Sequence, residues 1–166
     1  MSDCSPRLRS RLHCCSVAAA FLPRSSSRRP YPAPRLFPSR CLNPDVHQAS
    51  IQDTICVPGC TATVRPSKTY TNGVKTKLIR ELGLPPADAA KYELDHRIPL
   101  ALGGHPRNPH NLALQRWDGE AGAKKKDQLE RRLQVMACAG QEKLDTARAA
   151  VYFDWQGARR KYLPAP

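Results

Sequence analysis

Residues 91–115 read KYELDHRIPLALGGHPRNPHNLALQ, and this stretch decides the fold. Tyr92 to Ile98 loosely alternates polar and apolar side chains and predicts a strand, residues 99–110 form a Pro- and Gly-rich loop, and Asn111 to Leu114 predicts a second strand. The two strands make a short antiparallel hairpin with a wide loop. Neighbours on a strand point to opposite faces, so Asp95 and His96 cannot easily act as one carboxylate and imidazole pair. Different work is expected of each. Asp95 is placed to hold a metal ion. His96, with a reference pKa of about 6.5, suits proton transfer from a water on the other side.

Working outward, Asp118 is expected to cap a long helix through Ala139, in which Leu129, Leu133 and Met136 recur at helical spacing and Gly140 ends the run. A last helix over 141–160 has Leu144, Val151 and Trp155 as its buried stripe, with Arg148, Arg159, Arg160 and Lys161 in solvent. Upstream, Thr71 is expected to cap a helix through NGVKTKLIREL, with Val74, Leu78 and Leu82 on one face and Gly83, then Pro85 and Pro86, ending it. Residues 43–60, NPDVHQASIQDTICVPGC, read as a helical turn, a short extended piece and a turn at Pro58 and Gly59. No internal repeat is visible.

The 166 residues leave room for one ordinary domain and a tail. With 40% hydrophobic and 25% charged residues, close to globular averages, neither wholesale disorder nor a fibrous repeat is expected. The average conceals a division. Residues 1–40 hold eight Arg, no Lys and one acid, Asp3, which is about half of the formal +13. The domain is therefore placed at 41–166. The longest uncharged run of the first segment, Leu12 to Pro23, falls well short of the ~20 residues a membrane span needs, so no membrane anchor is expected. Its basic start followed by CCSVAAAFLP has the outline of a secretory signal, but RSSSRRPYPAP lacks a clean cleavage site. A basic tail that cannot bury enough apolar surface to order itself fits equally, so export and the cytoplasm both stay open.

Seven cysteines are an odd number, and Cys56, Cys60 and Cys138 lie well inside the domain. In an exported chain one pair among them forms a disulfide; in a cytosol they stay thiols. Cys56 and Cys60 with His105 and His110 are the right residue types for a structural zinc site, but the spacings are loose and Pro-rich, and coincidence is the preferred reading. Trp117 and Trp155 are expected to pack helices, with Trp117 near enough to the hairpin to stack on a base.

The run DHRIPLALGG, followed by Asn111-Leu112 and then a helix, resembles the HNH nuclease family over about residues 92–130. Weaker similarity to small, often exported bacterial HNH-like proteins extends over most of 43–160, carried by NPDV, TICVPG, TVRPS and KKKDQLERRL. The resemblance implies an α+β fold with a ββα-metal core, two strands and a helix around one divalent cation, wrapped by additional helices. It makes Asp95 a metal ligand, His96 the general base, and Asn111 the brace of the loop that carries His96. A His or Asn normally follows from the helix as second ligand, and 112–140 contains neither. Glu120 is the expected substitute and Asp127 the other acid within reach.

The implied activity is divalent-metal-dependent hydrolysis of nucleic-acid phosphodiesters, largely without sequence specificity and with DNA as the expected substrate. Carboxylate ligands favour Mg²⁺ or Mn²⁺ over Zn²⁺. Arg97, Arg107, Arg116, Lys124, Lys125 and Lys126 surround the motif and are expected to hold the phosphate backbone, although a lysine run is more often a solvated helix face. The missing helix ligand supports an alternative: a nucleic-acid-binding module descended from such a nuclease that no longer cleaves. A third reading, from another class, is an exported structural domain held by a disulfide.

Overall fold

The computed structural model describes residues 37–164. The signal-like run at 12–23 and Cys4, Cys14 and Cys15 lie outside these residues. The fold mixes helices with one antiparallel hairpin, β1 (Tyr92–His96) and β2 (Leu112–Arg116), in the register Tyr92 opposite Arg116 through His96 opposite Leu112. Helices α1 (Cys60–Val64) and α2 (Lys68–Glu81) precede the hairpin, and α3 (Ala123–Cys138) and α4 (Leu144–Tyr162) follow it. Among the described residues no helix is long and apolar enough to cross a membrane.

The core forms where the two long C-terminal helices meet. Leu129 and Leu133 of α3 and Leu144, Ala147 and Val151 of α4 are fully or almost fully buried. They pack with Ile98 and Leu102 from the interstrand loop and with Phe37, Val46, Ile51 and Ile55 from the segment before α1. Each such aliphatic side chain contributes about 1.5–3 kcal/mol of burial, so the wide loop is anchored at two points instead of projecting into solvent. Phe37, four residues before the boundary expected at Cys41, belongs to this core. A disulfide joins Cys56 to Cys138 and ties the end of α3 to the segment before α1.

Several elements differ from their sequence expectation for local reasons. Helix α2 starts earlier, because Ser67 rather than Thr71 is its cap, with the Ser67 hydroxyl accepting from Tyr70 N–H at 3.3 Å. Its deeply buried residue is Ile79, while Leu82 is 63% exposed. Helix α3 starts at Ala123, not after Asp118, since residues 118–122 turn through Gly119 at φ +95° before Gly122 enters the helix. Arg148 is not in solvent. It is buried, donating from Nε to the Leu102 carbonyl and from Nη2 to the Val46 carbonyl, both at 2.8 Å, and pairing with Asp145. A guanidinium held by two backbone carbonyls and a carboxylate can occupy a core position that its charge alone would forbid. Helix α4 breaks its helical dihedrals at Asp154, whose carboxylate accepts from Gly157 N–H at 2.8 Å and so caps a second helical segment.

Candidate nucleic-acid interface

The strand alternation separates Asp95 and His96 as expected. On one side, the Asp95 carboxylate meets α3: its Oδ2 accepts a hydrogen bond from the Lys126 ammonium at 2.7 Å, and its Oδ1 accepts from the backbone N–H of His96 at 2.7 Å. His96 turns instead to the loop, with Nε2 3.1 Å from the Pro106 carbonyl. A carbonyl only accepts, so Nε2 carries the proton and the lone pair of the neutral ring sits on Nδ1. Burial holds the His96 pKa below its usual value, which favours that neutral form.

Asn111 is completely buried and clamps the loop from within. Its Oδ1 accepts from Ile98 N–H at 2.8 Å, and its Nδ2 donates to the carbonyls of Ile98 and His105 at 2.9 and 3.0 Å. Both paired glycines are sterically required. A Cβ on Gly104 would stand 1.7 Å from the Ile98 carbonyl oxygen, and one on Gly103, at φ +75°, would stand 2.4 Å from Val46 Cγ1. The sequence motif thus builds a loop in which backbone and Asn111 pack without room for another atom.

Lys126 corrects two expectations. It is buried, with only 4% of its surface exposed, so it cannot face a phosphate backbone. Its ammonium donates to Asp95 Oδ2, to the His96 carbonyl at 2.9 Å and to Glu130 Oε1. An ammonium has three N–H donors, and all three are used. Burial opposes its charge, but Glu130 and Asp95 outweigh that and raise its pKa above the ordinary lysine value. Glu120, the expected second metal ligand, is 93% exposed and pairs with Lys125 at 2.8 Å. The helix partner of Asp95 is therefore a lysine and not a carboxylate.

Asp95 and Glu130, the two acids that contact this lysine, line a polar cleft of about 280 Å³ together with Glu93, Asp127 and Arg65. Burial followed by the nearby Asp95 charge pushes Glu93 up to about 7, and burial pushes Glu130 to about 7 and raises Asp127. Glu93 and Glu130 escaped the sequence reading. Their signals were spacing: Glu93 shares a strand face with Asp95, and Glu130 follows Lys126 by one helical turn.

The donor chemistry does not fit a divalent ion held by Asp95. Both its oxygens already have proton donors, one of them a cation, and among the described residues no group of three or more His, Cys, Asp or Glu side chains is arranged to hold a metal. The zinc alternative fails on its ligands too, since Cys56 is bonded to Cys138 and His105 Nδ1 accepts from the N–H groups of Arg107 and Asn108. Of the expected phosphate-binding residues, Arg97, Arg107, Arg116 and Lys124 are exposed, with Arg107 stacked over Tyr70 and Arg116 over Tyr92. Lys125 is partly buried against Glu120. Trp117 and Trp155 are both half-buried.

No family model, curated protein or solved structure matches this chain.

Proposed function

We propose that the hairpin and α3 form an HNH-type ββα core that binds the phosphodiester backbone of nucleic acid, and that Lys126 takes the place of the divalent ion. The observation that carries this reading is the saturated ammonium on Asp95 Oδ2. It supplies the positive charge that Asp95 needs and leaves no N–H to polarise a substrate phosphate. The resulting protein keeps a braced loop and an exposed basic rim without the means for metal-assisted cleavage. Arg97, Arg107, Arg116 and Lys124 are its phosphate contacts, and DNA is its expected partner.

A second reading is supported by His96. Its free Nδ1 lone pair and the Asn111 clamp are the features that a general base requires. In that reading the chain is a divalent-metal-dependent endonuclease, and Lys126 must leave Asp95 before an Mg²⁺ or Mn²⁺ ion can bind. One assay separates the two. Plasmid is incubated with the full chain, or with His96→Ala, in Mg²⁺, Mn²⁺ or EDTA, and binding and nicking are followed together. The proposal expects binding in EDTA that weakens steeply with salt, and no nicking. Metal-dependent nicking that His96→Ala abolishes would overturn it in favour of the nuclease.

A further inference from the structure

A second cleft, of about 400 Å³, runs along β2 on the hairpin and contains both apolar and polar groups. Four consecutive residues of β2, Leu112 to Gln115, line it. Consecutive residues alternate faces, so the strand presents its edge here, and in a two-stranded sheet β2 is paired to β1 along its other edge. Tyr152 and Trp155 of α4 line it too, as do Leu78, Leu82, His96 and Arg97. Tyr152 is held by neighbouring rings, Phe153 edge-on at 5.1 Å and Phe37 at 6.4 Å.

Resting on the nucleic-acid reading above, we infer that this cleft receives one unstacked base of a single strand, between the Trp155 and Tyr152 wall and the edge of β2. The volume lies in the range of ligand pockets, and the lining combines apolar and aromatic side chains with polar groups, Asp95, His96, Arg97 and Gln115 among them. An aromatic wall is tolerant of base identity because every base has a π-face. The β2 edge offers donors and acceptors to the rim of the base, and Gln115, whose Nε2 donates to the Ala121 carbonyl, adds its Oε1 as an acceptor. Arg97, exposed and next to His96, supplies the positive charge for the adjoining phosphate. Asp95 also reaches the cleft, but its charge is compensated by Lys126, so it does not repel that phosphate. A base inside a duplex cannot enter without leaving its stack, which costs a few kcal/mol and gives the site a preference for single strands.

The test uses the full chain with labelled dT12 and a labelled 12-bp duplex, read by anisotropy in EDTA at two salt concentrations. Trp117→Phe leaves Trp155 as the sole tryptophan, so its emission reports the cleft directly. Tighter binding of dT12 than of duplex is expected, with quenching of Trp155. Trp155→Ala should weaken dT12 binding by about five- to a hundredfold while leaving duplex binding unchanged. Trp155→Phe, which keeps an aromatic ring, should retain most of the affinity and guards against misfolding of the alanine variant. Equal affinity for the two probes, with no effect of Trp155→Ala and no quenching, overturns the inference and leaves the nucleic-acid reading intact. Failure to bind either probe removes both. Quenching by an extended peptide but not by dT12 would assign the strand edge to a protein partner and also overturn the inference.

Discussion

Replacing Lys126 by Met keeps the aliphatic stem and removes only the ammonium. The Lys126 side chain is 5% exposed, and its partners Asp95 and Glu130 are 15% and 13% exposed. Deleting one partner of a buried pair leaves the other charge uncompensated and costs about 3–5 kcal/mol. Two carboxylates share this one lysine, so the losses are not additive and the upper end of that range is the ceiling. The cost also depends on pH. Glu130 takes up a proton near 7 even with its ammonium partner present, and without it protonation moves to higher pH. The penalty is thus largest above pH 8 and shrinks toward pH 5, where Glu130 is neutral in both proteins. Urea unfolding at pH 8.5 and pH 5 measures it, and thermal unfolding of a domain this size should show a fall of roughly 10–20 °C at the higher pH. Adding Glu130→Gln to Lys126→Met should restore part of the loss. A change below about 1 kcal/mol at pH 8.5, or a loss that grows on acidification, would refute the reasoning.

The Cys56–Cys138 bond spans 82 residues, for which the chain-entropy model gives about 4.5 kcal/mol; reductant or Cys138→Ser should therefore lower the unfolding midpoint markedly, and an unchanged midpoint would contradict the link. Asn111→Ala leaves Ile98 N–H and two carbonyls without their partners and is expected to cost roughly 3 kcal/mol, measurable by denaturant unfolding. Glu93 has a folded pKa of about 7, above its ordinary 4.5, so the folded state holds its proton more tightly and stability contributed by this group falls as pH rises through 4.5–7. Glu93→Gln should accordingly match the native Tm near pH 4 and exceed it above pH 8; a constant offset at all pH values would exclude this origin.

What was legible in the sequence was whatever depends on local spacing. The hairpin followed from strand alternation around a Pro- and Gly-rich loop, and its strands fall where Tyr92 to Ile98 and Asn111 to Leu114 were expected, to within two residues. Leu129 and Leu133 were readable as core because their spacing is helical. The opposite orientations of Asp95 and His96 followed from strand geometry alone. Tertiary partners were not legible. Lys126 is one of three consecutive lysines, and nothing local distinguishes the one that turns inward to Asp95 from its solvated neighbours. Arg148 is the same case, since its carbonyl partners Leu102 and Val46 are 46 and 102 residues away. Pairing of Cys56 with Cys138 rather than Cys60 likewise depends on the packing of α3 against the segment before α1. Charge suggested solvent at Lys126 and Arg148, and buried hydrogen-bond partners prevailed at both.

The most direct test of the central claim is an Mn²⁺ titration of the full chain followed by the His96 ring signals in its NMR spectrum. Paramagnetic Mn²⁺ seated on Asp95 would broaden signals of the adjacent residue before distant ones. With Lys126 as the resident cation, the His96 signals should be unaffected at stoichiometric Mn²⁺. Selective broadening of those signals, abolished by Asp95→Asn, would show that a metal displaces the lysine and would contradict the account.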